Sequence, residues 1–265
     1  MAKQDNSRLS KQERRELARE KARIMREEQE KRDKRNRMML IGGIVGLVAL
    51  VAIVVVAIVM NSNRSPYEGV AGPQGSTDGG FPVSQQLVAG QEGTGDVEVD
   101  IYLDYACSWC NIFEQQYAGA IKEMASNGDA KFTFYPVALL DRSANFTGFS
   151  GLASNAAATV MEHAPDKFLD FNQQVFLTYG QNQAAMLPEI EQAAAAAGVP
   201  EDVIARFADG TYRDWVEATT RNFVQNVPAT GTPAIFLDGE QWGFEQDDPW
   251  TAENALQNAI EARKG

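Results

Sequence analysis

The chain has 265 residues, 44% hydrophobic and 23% charged, with 24 Lys/Arg against 36 Asp/Glu. The formal charge of −12 is unevenly spread: residues 1–37 hold 14 Lys/Arg and 8 Asp/Glu, leaving 10 and 28 for residues 38–265. The acidic main body argues against a nucleic-acid partner, because phosphates demand a basic face, and the long apolar run between the two parts excludes a uniformly soluble cytoplasmic enzyme.

Residues 1–37 read as a charged cytoplasmic tail, helical at least where Glu27/Lys31, Glu28/Arg32, Glu30/Lys34 and Asp33/Arg37 place acid before base at i, i+4. Residues 38–60 form 23 uncharged positions. As a helix this stretch is roughly 34 Å long, enough to cross a hydrocarbon core of about 30 Å. It is longer than the apolar core of a signal peptide, and no small-residue cleavage site follows it closely. Basic residues crowd its N-terminal side (Arg32, Lys34, Arg35, Arg37), against Arg64 alone on the other. The positive-inside rule then puts the N-terminus in the cytoplasm and everything after Met60 outside the cell membrane, a single-pass signal anchor. Gly42 and Gly46 are spaced for close helix approach. Residues 61–81 are rich in Gly, Pro, Ser and Asn and read as a flexible linker.

Residues 82–265 have the length of one domain. Val97–Tyr105 alternates and reads as a strand, Ser108–Ser126 as a helix stopped by Asn127-Gly128-Asp129, and Lys131–Val137 as a second strand. Helical patterns fill about 142–227, with stops at Gly198 and Gly210. Ala234–Leu237, the Asp238-Gly239 turn and Glu240–Gly243 read as a hairpin. Trp250–Arg263 reads as a closing helix, with Asp247-Asp248 before Pro249 as its lead-in rather than a calcium site. The order strand, helix, strand, helices, hairpin, helix gives an α/β fold with an inserted helical subdomain.

The only two cysteines are Cys107 and Cys110, on either side of Ser108-Trp109, after a strand and at a helix start. A C-x-x-C pair is compatible with half a zinc site, for which His163, the single histidine, and a carboxylate would be the remaining ligands. A structural disulfide there would close too short a loop to remove much chain entropy. The redox reading accounts for the placement. Unpaired N–H groups at a helix N-terminus favour a thiolate, and the thiolate is the attacking species in disulfide exchange. Cys107 at the turn is expected to be exposed and nucleophilic. Cys110, one turn into the helix, is expected to be shielded and to resolve the mixed disulfide. Trp109 is expected to be a substrate-facing apolar contact or a lid over the site rather than a core residue. Asn145-Phe146-Thr147 matches a glycosylation acceptor, a pattern frequent by chance.

The run Asp104-Tyr105-Ala106-Cys107-Ser108-Trp109-Cys110, then Phe113-Glu114, and much later Gly231-Thr232-Pro233-Ala234-Ile235-Phe236, resembles the DsbA family of thioredoxin-like folds. It is closest in pattern to membrane-tethered members with a D-x-x-C-x-x-C motif. The resemblance implies a thiol–disulfide oxidoreductase acting on exported cysteine-containing polypeptides. It also implies a cis peptide before Pro233, with Thr232 and Pro233 receiving the substrate backbone. A membrane quinone-linked thiol oxidase would recharge the pair, and no organic cofactor or metal is implied. Two departures leave the redox potential open: the dipeptide is Ser-Trp, without a histidine, and Ile101 stands where many relatives carry a buried carboxylate. Asp104 is expected either to accept a proton from Cys110 or to cap the helix. The reverse reaction, as a reductase or isomerase, and a non-catalytic tethered binding module stay open.

Overall fold

The computed structural model describes residues 11–62, 66–244 and 250–264. The chain divides into two compact units, Met1–Arg64 and Ser65–Gly265. Residues 1–10 of the tail and residues 63–65 of the linker, Arg64 among them, lie outside the described residues, as does the Asp247-Asp248 lead-in.

The described residues of the first unit form one helix, α1 (Lys11–Ser62), in which the described part of the tail and the apolar run are continuous. Residues Arg15–Val56 contain an 18-residue window of mean hydropathy 3.0, none of it buried, which makes this helix a candidate membrane span by length and composition. The four acid-before-base pairs between Glu27 and Arg37 do not close; the ion pairs within α1 among the described residues are Arg23 with Glu20, at 2.8 Å, and with Glu27, at 4.0 Å. Exposed pairs gain a few tenths of a kcal/mol at most, too little to fix long side chains.

The second unit is built on a five-stranded sheet in the order β1-β3-β2-β4-β5. The strands are β1 (Phe81–Val83), β2 (Val97–Leu103), β3 (Ala130–Pro136), β4 (Ala234–Leu237) and β5 (Glu240–Trp242). β2 and β3 run parallel, joined by α2 (Ser108–Asn127); the other pairings are antiparallel. β2 alternates strictly, with Val97, Val99, Ile101 and Leu103 buried. Their side chains share one sheet face because the strand period is two. On α2, Cys110, Phe113, Tyr117, Ile121 and Met124 recur at helical spacing and are all buried. Gly128, at φ 74°, ends α2 in the left-handed conformation, and the N–H groups of Gly128 and Asp129 donate to the carbonyls of Ala125 and Met124.

Between β3 and β4 the chain makes α3 (Phe149–His163), α4 (Phe168–Gln181), α5 (Leu187–Ala196), the single turn α6 (Glu201–Ile204) and α7 (Arg213–Asn226). This helical insertion shares one core with the sheet: Phe81 of β1 stacks on Trp215 of α7 at 5.2 Å and 7°, and meets Phe168 of α4 edge-on at 5.2 Å.

Two segments differ from expectation. Within residues 61–81, residues 66–80 lie along the second unit. Tyr67 and Val70 pack on its core, the Gln74 N–H donates to Glu162 at 2.8 Å, and Asn222 donates to the Tyr67 hydroxyl at 3.3 Å. A glycine-rich composition suits a closely fitted strap as well as a coil. Gly79, at φ 85°, has the Tyr67 hydroxyl where a Cβ would stand. The closing helix α8 spans only Ala255–Glu261, because Trp250 is held back by its N–H bond to the Gly243 carbonyl and Asn254 turns left-handed at φ 56°.

Candidate functional site

The turn from β2 into α2 carries the thiols. Cys107 is itself the N-cap of α2: its backbone is extended, at φ −87° and ψ 118°, and its sulfur accepts the Cys110 backbone N–H at 3.4 Å. The helix therefore begins at Cys107, and the first unpaired N–H groups point at its sulfur. Both cysteines are free. Cys107 is 7% exposed rather than open to solvent, and Cys110 is 1% exposed.

The other side of Cys107 is covered from 125 residues away. The Thr232–Pro233 peptide bond is cis, and the Cys107 thiol donates to the Thr232 carbonyl at 3.1 Å. That placement is the reason the sulfur is less exposed than its position at a turn suggests. The loop arrives there because β4, which begins at Ala234, pairs with β2 in the register Tyr102 to Ala234.

The two thiols are driven apart in acidity. Cys107 is lowered to about 6, first by the hydrogen bond from the Cys110 side chain, then by the backbone N–H groups at the helix start, against the opposing effect of burial. The Thr232 side chain adds to the lowering, whereas the Thr232 carbonyl, an acceptor facing the sulfur, favours the thiol. Cys110 is raised well above the ordinary thiol range, chiefly by burial and then by its neighbour Cys107. At neutral pH this gives one thiolate and one thiol.

Asp104 is fully buried and does not cap α2, since Cys107 does. Its carboxylate instead ties three segments together. It accepts the Ala106 N–H at 2.8 Å, the Leu140 N–H at 2.8 Å and the Ser150 hydroxyl at 2.5 Å. Burial raises its pKa, and these donors partly restore it. Ser150 and Leu140 were not legible as site residues, because they lie 46 and 36 positions away.

Trp109 is 59% exposed and meets Trp250 edge-on at 6.2 Å. With Thr232, Pro233, Phe244 and Thr251 they line a cavity of about 270 Å3. Phe244 is 53% exposed, and its place in this cavity was not evident in the sequence. His163 ends α3 and is exposed. Among the described residues no group of three or more His, Cys, Asp or Glu side chains could hold a metal. Asn145 lies in a short 3-10 turn at φ 61°.

A family profile described as thioredoxin matches residues 83–262. No curated protein matches the sequence. Among solved structures, the chain is similar to MdbA, a thiol-disulfide oxidoreductase from Actinomyces oris, at 23% identity and TM-score 0.60, covering 76% of this chain and 97% of that one. It is similar to the oxidised DsbA of Mycobacterium tuberculosis at 25% identity and TM-score 0.54, covering 70% and 93%. It is similar also to oxidised BdbD from Bacillus subtilis at 20% identity and TM-score 0.52, covering 72% and 96%.

Proposed function

The chain belongs to the thioredoxin family, and from that premise we propose that it is a membrane-anchored, extracytoplasmic thiol–disulfide oxidoreductase that introduces disulfides into exported proteins through Cys107 and Cys110. The observation that carries this reading is the divergence of the two thiols: Cys107, at a helix start, is lowered to about 6, while Cys110, one turn inside, is raised.

In the oxidised protein a substrate thiolate attacks the Cys107 sulfur. A mixed disulfide forms, and the Cys107–Cys110 bond breaks with its electron pair going to Cys110. The helix N-terminus makes Cys107 the better leaving group for the next step. A second substrate thiolate attacks its partner sulfur, the substrate disulfide forms, and Cys107 departs as thiolate. Cys110, released as a thiolate, takes up a proton, and Asp104 is the group that would hand it over and later take it back. Thr232 and Pro233 receive the substrate backbone as an added strand, and Trp109 provides an apolar face beside it. Reoxidation falls to a membrane quinone-linked thiol oxidase.

The test is asymmetry between two variants in cells. Cys110→Ser should accumulate exported proteins as adducts on non-reducing gels that vanish with reductant. Cys107→Ser should give few. Equal yields from both, or none from either, would defeat the mechanism. Direction is decided by the reduction potential. A value near about −120 mV marks an oxidant and one near about −270 mV a reductant; the latter would favour the reductase or isomerase reading.

A further inference from the structure

A second cavity adjoins the thiol turn, and the steps above leave it unused. It measures about 240 Å3, and its lining includes Ala106, the residue before Cys107, together with Leu140, Arg142, Tyr179, Gln183 and Met186. It shares no residue with the cavity at Trp109, Thr232 and Pro233, whose lining carries no charged side chain. Its wall belongs to the frame of the site: Ala106, Leu140 and Ser150, all on that lining, are the three donors to buried Asp104. Its rim is amphipathic. Leu140 and Met186 are 45% and 44% exposed, and Arg142 is exposed beside them in the loop after β3. The neighbouring Asp141 does not neutralise that charge, because its carboxylate is taken up by the Ser143 N–H at 2.9 Å and the Gly151 N–H at 3.0 Å. Among the described residues Arg142 has no ion pair or hydrogen bond, and neither the Tyr179 hydroxyl nor the Gln183 amide has a partner. Such a cation is unusual in this domain. Of the nine Lys/Arg that follow Arg64, set among 28 Asp/Glu, six are held in ion pairs.

We propose that this cavity is a recognition subsite for the exported polypeptide, in which Arg142 is a specificity-determining residue that selects an acidic side chain within a few positions of the substrate cysteine. This rests on the reading of Cys107 and Cys110 as a redox pair and deepens it. In the mixed disulfide the substrate cysteine is bonded to the Cys107 sulfur, and one of its flanks passes over the turn at Ala106. An extended segment advances about 3.3 Å per residue, and successive side chains point to opposite faces. The residues nearest the cysteine therefore span a cavity of this size, an apolar one against Leu140 and Met186 and an acidic one against Arg142. The guanidinium fork matches a carboxylate, which it receives through two parallel hydrogen bonds. Elsewhere the acidic surface repels an acidic segment, so the unpaired cation beside the thiols is what admits one.

The experiment uses the reduced full chain in detergent and synthetic peptides in which the sole cysteine carries a pyridyl disulfide. The Cys107 thiolate attacks the peptide sulfur, the mixed disulfide forms, and the pyridyl thiolate departs with the electron pair and takes a proton from water to give thiopyridone. Its absorbance reads recognition whichever way the pair runs in the cell. The peptides carry Glu or Lys in turn at the positions nearest the cysteine on either side. On one flank the Glu-to-Lys rate ratio should fall by about threefold in Arg142→Gln and further in Arg142→Glu. At about 1 M salt, where the Debye length is about 3 Å, the wild-type and variant ratios should converge. A ratio unchanged by Arg142→Gln at every position would overturn the subsite. So would an equal fall at all positions, the mark of a general field, or a fall indifferent to salt. Failure of the wild type to react with any of the peptides would instead defeat the redox reading itself.

Discussion

At the scale of single residues, the site is a contest over protons within one helical turn. Cys107 is held at about 6 by hydrogen bonds that favour its charged form. In reduced full-length protein, thiolate absorbance should rise with a midpoint near pH 6, and a midpoint at or above the free-thiol value of about 8.5 would refute an activated nucleophile. Ser150→Ala removes the hydroxyl that donates to buried Asp104, so it should cost about 1–2 kcal/mol of stability in denaturant melts. It should also raise the Asp104 pKa further. Asp100 on β2 shows the same logic away from the thiols: burial raises it to about 6, against a hydrogen bond from Tyr135. A raised carboxylate pKa means that folding loses stability as pH climbs from about 4 towards about 6. Asp100→Asn should therefore be more stable than wild type at pH 8, by about 1 kcal/mol after solvent screening. That advantage should disappear below pH 4; a constant advantage across pH would show that the charge is not its cause. The thiol pair was legible in the sequence because its spacing is local and its residue type chemically distinctive, whereas Thr232-Pro233, 125 positions away, was named only through the family resemblance. Of the two expectations for Asp104, proton acceptor or cap, the cap falls to Cys107 instead; both residues precede the helix, and only backbone geometry separates them.

At the scale of elements, legibility followed periodicity. β2, α2, β3 and the β4–β5 hairpin sit within two residues of expectation, since alternation and helical spacing persist long enough to be counted. β1 escaped because three residues carry no period, and its existence depends on pairing with β3. The strap over residues 66–80 escaped for the opposite reason: its composition was legible but its contacts were not. Gly79→Ala is the sharp test. It adds a methyl where the Tyr67 hydroxyl stands and strains a residue at φ 85°, so it should lower stability by about 1–3 kcal/mol. The Cys107 thiolate midpoint should not move. An unchanged melting temperature would mean that the strap is not seated as described.

At the scale of the whole molecule, the charge division, the 23 apolar residues and the acidic main body lead to one expected topology. Protease added to intact spheroplasts should remove the part after Met60 and spare the tail; loss of the tail instead would reverse the orientation and remove the argument from an oxidising compartment. The insertion between β3 and β4 has a further consequence, in the order of synthesis. Cys107 and the Thr232 carbonyl touch across 125 intervening steps of chain, and β2 cannot pair with β4 until every helix between them has emerged. A contact of that sequence separation forms late and slowly. A chain interrupted short of residue 232 would thus present both thiols with neither the ledge beside them nor the sheet partner beneath. On the proposed topology, the emerging chain spends an interval as a cysteine-containing client, open to the chemistry it is proposed to perform on others.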